Sequence, residues 1–222
     1  MPTQRAKPFP SPDLKNMSAF ENPKERWTQR FQTDDYIFGL EPNAYLRSQG
    51  AHLKRGRTLA IADGEGRNGV WLAEQGHAVD SFDFVEAAVA KARKLAARRN
   101  VTMAAVCCDW AQFNWQPNTY DNVVGIFFQF LGPEERSRVF EAIDRVLKPG
   151  GTVLLQGYSM EQLKYNTGGP GKLDHLYDEA LLLNAFPAYE RVDLRTYEAD
   201  IQEGQAHCGM SALVGYVGRK PL

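Results

Sequence analysis

The fold is decided by the stretch Thr58-Leu59-Ala60-Ile61-Ala62-Asp63-Gly64-Glu65-Gly66-Arg67-Asn68-Gly69. Its first five residues form a largely apolar run that is too short for a helix, which predicts a buried strand. The glycines permit a tight turn and a close backbone approach to a ligand. Residues 70–75 then have a helical pattern that stops at Gly76. A strand, a glycine-rich turn and a helix in this order predict a loop that binds a nucleotide-type ligand at the helix N-terminus.

An acidic residue, Asp83, follows at the predicted end of the second strand, where it could contact a nucleotide-type ligand. Residues 77–82 predict a second strand that leads to Asp83, about 20 residues after the turn. A carboxylate at this strand end can accept hydrogen bonds from both ribose hydroxyls of a nucleoside. The alternative is that Gly64 and Gly66 only close a strand–helix turn.

The rest of the chain alternates between strand and helix patterns. Strands are predicted at 102–107, 120–128, 152–157, 189–197 and 210–218, and helices at 84–99, 133–147 and 178–186. Such alternation predicts a parallel sheet covered by helices on both faces, a three-layer α/β fold, and the last two strands are expected to pair antiparallel. We expect a flexible leader over 1–23 and one domain over 24–222, with 24–53 as an N-terminal helical cap in which Pro42 opens the second helix.

Composition favours a small-molecule partner. The 222 residues are 43% hydrophobic and 24% charged, and 26 basic residues balance 27 acidic ones. These proportions exclude a fibrous or disordered chain. The even balance of charges predicts no basic surface that would bind nucleic acid or an anionic membrane.

Three cysteines without zinc spacing predict neither a disulfide framework nor a metal site. The longest apolar run, Val123 to Leu131, is far shorter than the ~20 residues of a membrane span. No signal-peptide core is seen, so a cytoplasmic protein is expected, as a monomer or homodimer.

Further motifs separate two ligand classes, since a GxGxxG turn suits a dinucleotide as well as S-adenosylmethionine. Cys108-Asp109-Trp110 follows the third strand and places an acid and a large aromatic residue where an adenine would lie. The polar turn 118–122 leads into a central fourth strand, and Leu147-Lys148-Pro149-Gly150-Gly151 precedes the fifth. This set favours S-adenosylmethionine.

With these motifs, the chain resembles a class I S-adenosylmethionine-dependent methyltransferase from about Trp27 to Arg219. Residues 36–43, Tyr-Ile-Phe-Gly-Leu-Glu-Pro-Asn, followed by Gly64 to Asn68, are similar to the tellurite-resistance and thiopurine methyltransferase-like group. The resemblance implies a seven-stranded Rossmann-like sheet whose last strand is antiparallel. It also implies S-adenosylmethionine as the cofactor and S-adenosylhomocysteine as the product.

The resemblance further implies roles for individual residues. Gly64 and Gly66 would face the methionine part of the cofactor, and Asp83 the ribose. Phe84 would flank the adenine, Asp109 would bind its amino group, and Trp110 would stack nearby. The other residues implied at the cofactor are Tyr36, Phe38, Asp63, Glu65, Arg67, Asn68 and Phe127.

The first motif departs from the family pattern, which has an acid two residues before its first glycine. Ala60 and Ala62 stand in this region, and the acid is Asp63 instead. Asp63 either replaces the missing acid toward the cofactor ammonium or is a surface residue of the turn. Arg67 either binds the cofactor carboxylate, caps the loop or pairs with Glu65.

The acceptor side lacks an obvious base. After the fourth strand the chain reads Phe127-Phe128-Gln129-Phe130, three rings and one neutral amide. A base is needed only where the nucleophile must lose a proton. The segment therefore favours a soft or already ionised small acceptor, such as a thiol or a metalloid oxyanion.

Candidate catalytic residues are His207, Gln129 and Tyr36. His207 is expected in the loop between the last two strands, where a side chain that titrates near neutral pH can act as a base or is merely solvated. Two other functions stay open: a non-catalytic S-adenosylmethionine-binding protein and an NAD(P)-dependent oxidoreductase.

Overall fold

A computed structural model describes residues 23–165, 167–205 and 207–222, so the predicted leader lies almost entirely outside the described residues. The described α-helices are α1 (Pro23–Phe31), α2 (Ala44–Gln49), α3 (Arg67–Glu74), α4 (Glu86–Arg98), α5 (Pro133–Val146) and α6 (Glu179–Ala185). Short 3-10 helices span Gly50–His52, Met160–Lys164 and Leu173–His175.

The described strands form one sheet of seven. They are β1 (Arg57–Ile61), β2 (Ala78–Asp83), β3 (Ala104–Cys107), β4 (Tyr120–Ile126), β5 (Leu147–Tyr158), β6 (Glu190–Glu203) and β7 (His207–Arg219). Their order is β3-β2-β1-β4-β5-β7-β6. Only β7 runs against the others, pairing antiparallel with both β5 and β6. The predicted three-layer Rossmann-like fold is confirmed.

Alternation along the central strands builds a core on each face of the sheet. Leu59 packs with side chains of α5 and α6, such as Ile143 and Leu182. Its neighbour Ala60 points to the other face, where Leu46 of α2 and Leu72 of α3 pack. Successive side chains of a strand alternate between faces, so a strand that is apolar throughout must lie between two helical layers.

Several predicted boundaries were wrong. β5 begins at Leu147 rather than at 152, because Leu147 pairs with Tyr120 before a bulge shifts the register. The β6–β7 hairpin is longer than predicted, and His207 is the first residue of β7 rather than a loop residue. Helix α2 begins after Pro42: Asn43 is its N-cap, and its side chain accepts a hydrogen bond from the Leu46 N–H.

The sheet changes its winding direction between β1 and β4. From β1 the chain proceeds outward through β2 to β3, and from β4 it proceeds the other way through β5. Open α/β sheets bind ligands at the carboxyl ends of the strands at such a switch point.

Two non-glycine residues there, Ala62 and Phe127, have positive φ angles of 49° and 54°. Strained backbone of this kind clusters at functional sites.

Within the described residues, none of the helices has the length and apolar character required to cross a bilayer.

Candidate functional site

A cleft opens at the switch point, over the carboxyl ends of β1, β2 and β4. It contains about 550 Å³ of empty space, part of it open to solvent. Its walls are formed by Trp27, Phe31, Phe38, Ala62, Asp63, Gly64, Arg67, Asn68, Asp83, Phe84, Ile126, Phe127, Phe130 and His207.

Gly64 and Gly66 of the turn have different structural roles. Gly64 lines the cleft with φ at +56°, and a Cβ on it would lie 3.4 Å from Phe31 Cζ. Gly66, the N-cap of α3, has φ at +87°, and a Cβ there would lie 2.6 Å from the Cβ of Ala92 on α4. Gly64 therefore keeps the cleft clear, whereas Gly66 lets α4 pack closely against the turn.

Asp83 lies at the end of β2, where it was predicted, and it is buried in the cleft wall. One carboxylate oxygen accepts a hydrogen bond from the Gly64 N–H at 3.0 Å, and the other accepts one from the Val85 N–H at 3.0 Å. Burial raises its pKa to about 6, against the opposing effect of these hydrogen bonds. The backbone thus fixes the Asp83 carboxylate in the cleft wall.

Asp63 is the second carboxylate of the wall, and it is not a solvated turn residue. Both of its oxygens lie 3.2 Å from the Gly69 nitrogen in the first turn of α3. Burial raises its pKa to about 7, and the nearby Asp83 adds to this effect. A cation in the cleft would therefore meet a carboxylate that titrates near neutral pH.

Aromatic rings cover the cleft from the N-terminal side. Trp27 and Phe31 of α1 stack at 5.6 Å, and Phe38 packs on both. On the sheet side, Phe84 and Phe130 meet edge to face at 5.2 Å. The rings give the cleft apolar walls of the kind that suit a planar heterocycle.

A buried ion pair ties the N-terminal segment to the turn. Lys91 Nζ of α4 lies 2.8 Å from a Glu65 carboxylate oxygen and also donates to the Asp35 carbonyl at 2.8 Å. The Phe38 N–H donates to the other Glu65 oxygen at 3.4 Å. Glu65 thus faces away from the cleft and positions the segment that carries Phe38.

A second buried ion pair ties the turn to the β6–β7 hairpin. Arg67 Nη2 lies 2.6 Å from Glu203 at the end of β6. The same carboxylate accepts hydrogen bonds from the Asn43 side chain and the Ala44 N–H. The Asn43 N–H in turn donates to Asn68 Oδ1 at 2.9 Å. Of the alternatives for Arg67, pairing with Glu65 was wrong, because Glu65 pairs with Lys91 and Arg67 with Glu203.

His207 lies in the cleft wall and is buried. Its ring centroid is 4.4 Å from that of Phe127 and 4.5 Å from that of Phe38. Burial lowers its pKa to about 3, and the charges of Arg67 and Arg30 act in the same direction. The imidazole is therefore neutral at physiological pH and a weak base.

The other two predicted catalytic residues lie outside the cleft wall. The Tyr36 hydroxyl donates to the Lys91 carbonyl at 2.9 Å. The Gln129 amide is occupied by backbone groups, since Nε2 donates to the Tyr158 carbonyl and Oε1 accepts from the Tyr158 N–H. Both side chains therefore have structural partners that hold them away from a ligand in the cleft.

The acid and aromatic pair after β3 also lies outside the cleft wall. Asp109 accepts a hydrogen bond from the Ala111 N–H and closes its own turn. Trp110 packs against the main core, and its carbonyl accepts a hydrogen bond from Trp115 Nε1.

The sequence analysis did not predict five of the wall residues as cofactor-binding or catalytic: Trp27, Phe31, Ala62, Ile126 and Phe130. Trp27 and Phe31 are four residues apart on a short helix, and residues at this spacing share one helix face. This spacing could have indicated that both rings face the cleft. The described residues contain no group of three or more His, Cys, Asp or Glu side chains that could hold a metal ion.

Comparison with protein families finds one match within the chain. Residues 59–151 match the family model described as a methyltransferase domain. The match covers 93 of the 222 residues, from β1 into β5. No curated protein is similar enough in sequence to match.

Solved structures share the architecture at low identity. TehB from Haemophilus influenzae is 16% identical, with a TM-score of 0.66 over 89% of this chain and 66% of that one. An S-adenosylmethionine-dependent methyltransferase from Methanosarcina mazei is 19% identical, with a TM-score of 0.64. The match covers 82% of this chain and 100% of the Methanosarcina chain. Magnesium protoporphyrin IX methyltransferase from Synechocystis, solved with bound S-adenosylhomocysteine, is 15% identical, with a TM-score of 0.59 over 89% and 82%.

The domain match supports the predicted enzyme class, a methyltransferase. The fold is the one that the Methanosarcina and Synechocystis methyltransferases share. The resemblance to the tellurite-resistance and thiopurine group stays a prediction.

Proposed function

We propose that the protein transfers the methyl group of S-adenosylmethionine to a small, soft acceptor in the cleft at the β1–β4 switch point. The observation that carries the proposal is the fixed Asp83 carboxylate beside the glycine turn, in the wall of the cleft at the switch point. The acceptor would be a thiol or a metalloid oxyanion.

The residues of the cleft fit the cofactor. Gly64 has no side chain where a Cβ would project toward Phe31, so the turn leaves space for the methionine part. Asp83 would accept hydrogen bonds from the ribose hydroxyls, and Phe84 with Phe130 would flank the adenine. Asp63 would hold the ammonium group with the lone pairs that the Gly69 N–H leaves free. When bound, the cofactor supplies an electrophilic methyl group on a sulfonium.

Catalysis in this cleft would rest on positioning. Methyl transfer is an in-line displacement, and holding two reactants in line removes much of the entropic barrier. Phe127, at positive φ, directs its ring against His207 at the end of β4. The covering rings of Trp27, Phe31 and Phe38 would exclude water from the reacting groups.

The weak basicity of His207 is compatible with a soft acceptor. His207 has a pKa of about 3, far below the operating pH at which general bases work best. Asp63 and Asp83 are bound to backbone N–H groups of the turn. An acceptor that is already ionised, or nucleophilic as a neutral species, needs no deprotonation in the cleft.

The nearly neutral charge of the chain supports a small molecule rather than a nucleic acid as the acceptor. We also propose a cytoplasmic protein that acts as a monomer or homodimer. A non-catalytic S-adenosylmethionine-binding protein is the second candidate, favoured by the weak basicity of His207.

Release of S-adenosylhomocysteine, measured through coupled conversion to homocysteine, tests the proposal. Purified protein with S-adenosylmethionine would be screened against thiols, selenite and tellurite. Turnover of a thiol or of one of the two oxyanions is expected. Binding of the cofactor without turnover of any acceptor would favour the non-catalytic candidate.

A further inference from the structure

A surface groove lies apart from the cleft and shares none of its wall residues. It is lined by the N-terminal part of α5, the two 3-10 helices that follow β5, and the start of α6. Its apolar surface comes from Met160, Leu173, Leu176 and Leu181. Met160 and Leu173 are exposed, so the groove presents apolar surface to a ligand. We call it the α5–α6 groove.

Arg136 lies in the α5–α6 groove although only 7% of its surface is exposed. Its Nη1 donates to the Asp174 carbonyl at 2.6 Å, and its guanidinium carbon lies 5.7 Å from the centroid of the Tyr177 ring. Nε and Nη2 have no hydrogen-bond partner among the described residues, and both keep some solvent-accessible surface. The edge of the guanidinium that joins Nε and Nη2 is therefore available to a ligand.

Arg136 differs from the other buried lysine and arginine side chains of the described residues. Arg67 pairs with Glu203 at 2.6 Å, and Lys91 pairs with Glu65 at 2.8 Å. Arg136 forms no ion pair with a described residue. Because a buried charge is costly unless it is paired, the two other cations follow the general rule and Arg136 departs from it. A carboxylate on the Nε–Nη2 edge would supply the missing partner through two parallel hydrogen bonds.

The remaining charges of the α5–α6 groove favour a ligand with a single negative charge. Lys172 lines the groove, and so do Asp174 and Asp178. The Asp178 carboxylate is the N-cap of α6 and accepts the Leu181 N–H at 2.6 Å, whereas Asp174 is exposed and binds Arg136 through its carbonyl. Two basic and two acidic residues leave the groove neutral as a whole. Both carboxylates would therefore repel a dianion such as phosphate more strongly than a monoanion.

We propose that the α5–α6 groove binds a small monocarboxylic acid with an apolar chain. Arg136 would hold the carboxylate on its Nε–Nη2 edge, and the chain would lie on Met160 and Leu173. The inference goes beyond the proposed function, because the groove and the cleft share no residue and the acid would bind with or without the cofactor.

The test is a nuclear magnetic resonance titration of protein that carries ¹³C in its methionine methyl groups. Met160 is one of five methionines and the one that lines the groove, and Met160→Leu identifies its signal. The probes are hexanoate, its uncharged analogue hexanamide, and inorganic phosphate. Hexanoate should shift the Met160 signal saturably and bind at least tenfold more tightly than hexanamide, and phosphate should bind more weakly than hexanoate.

Arg136→Gln removes the guanidinium and should weaken binding of hexanoate at least tenfold, with the affinity for hexanamide unchanged. The matched control is Arg138→Gln on the same helix, where the arginine is exposed and pairs with Glu134. This variant should change neither affinity.

A second pair of variants tests the groove without altering a buried residue. Leu173 is 57% exposed, so Leu173→Glu and Leu173→Gln should both fold. The two new side chains have the same shape, but only glutamate adds a negative charge beside the carboxylate. Leu173→Glu should therefore bind hexanoate at least threefold more weakly than Leu173→Gln, with equal affinities for hexanamide.

Several results would overturn the inference. They are the absence of a saturable shift with hexanoate, equal binding of hexanoate and hexanamide, an unchanged hexanoate affinity in Arg136→Gln, and equal affinities in the two Leu173 variants. Tighter binding of phosphate would replace the apolar acid with an inorganic anion. A Met160 signal that moves with protein concentration alone would assign the groove to a second copy of the chain. The affinity for S-adenosylhomocysteine, measured on the same Leu173 variants, should not change, and its absence in the wild type would count against the proposed function alone.

Discussion

Arg67 and Glu203 form a buried ion pair, with Nη2 and Oε2 2.6 Å apart, across 136 residues of sequence. The pair joins the first turn of α3 to the tip of the β6–β7 hairpin. Because Glu203 also accepts hydrogen bonds from Asn43 and Ala44, one carboxylate holds three parts of the chain around the cleft.

Breaking this pair should destabilise the protein. Glu203→Gln leaves the buried Arg67 charge uncompensated and should lower the free energy of unfolding by roughly 3 kcal/mol, measured by urea denaturation. The control is Glu134→Gln, which breaks the exposed Arg138–Glu134 pair and should cost less than about 1 kcal/mol. Equal effects of the two variants would contradict a structural role for the Arg67–Glu203 pair.

Lys91 should control the order of the segment that covers the cleft. Lys91→Met removes the Glu65 ion pair and the hydrogen bond to the Asp35 carbonyl. Amide hydrogen exchange at residues 35–39 should then speed up, because local opening there becomes less costly. Lys94→Met, an exposed position on the same helix, should leave this exchange unchanged. Similar exchange in both variants would refute the role of Lys91.

Gly66 should tolerate no side chain. Gly66→Ala combines a φ of +87° with a contact of 2.6 Å to Ala92 and should destabilise the protein by roughly 1–3 kcal/mol. Gly132→Ala is the matched control: Gly132 caps α5 at a φ of −66°, and a Cβ there meets nothing within 4 Å. Its cost should stay below about 1 kcal/mol, the loss expected where alanine replaces glycine at an N-cap. Thermal unfolding of both variants decides the matter.

Asp63 should make cofactor binding depend on pH. Its pKa of about 7 means that the carboxylate is ionised above pH 7 and protonated below it. If Asp63 holds the ammonium group, the affinity for S-adenosylhomocysteine should be full above pH 7 and fall several-fold as the pH drops from 7.5 to 6. Calorimetry over this range measures the effect.

The control ligand for this titration is 5′-methylthioadenosine, which lacks the ammonium group but still places a ribose at Asp83. Its affinity should fall less, reporting only the protonation of Asp83, whose pKa is about 6. Asp63→Asn should remove the difference between the two ligands. Identical pH profiles for both ligands in the wild type would show that Asp63 does not hold the ammonium.

Local patterns in the sequence predicted the fold, and they pointed to Gly64 and Asp83 as neighbours at one edge of the sheet. The apolar run into Gly64 and the strand that ends at Asp83 have short-range signatures, because strand and turn propensities are set by neighbouring residues. Both residues lie in the cleft wall, as expected.

Long-range pairing could not be predicted in the same way. Nothing near Glu203 or Lys91 indicates a buried ion pair, since the partners meet only after the sheet and the cap have formed. His207 was expected in a loop because the predicted strands ended at 197 and began again at 210, yet the hairpin ladder includes it. Tyr36 was expected at the cofactor, but its hydroxyl finds a carbonyl on α4 instead.

The most direct test of the central claim is calorimetric titration of the wild type with S-adenosylhomocysteine and with NADH, repeated on Asp83→Ala. Asp80→Ala, a change in the same strand but outside the cleft wall, is the control. We predict saturable binding of S-adenosylhomocysteine and none of NADH, with a roughly ten- to hundredfold loss of affinity in Asp83→Ala alone. Binding of NADH, no binding of S-adenosylhomocysteine, or an unchanged affinity in Asp83→Ala would contradict the account.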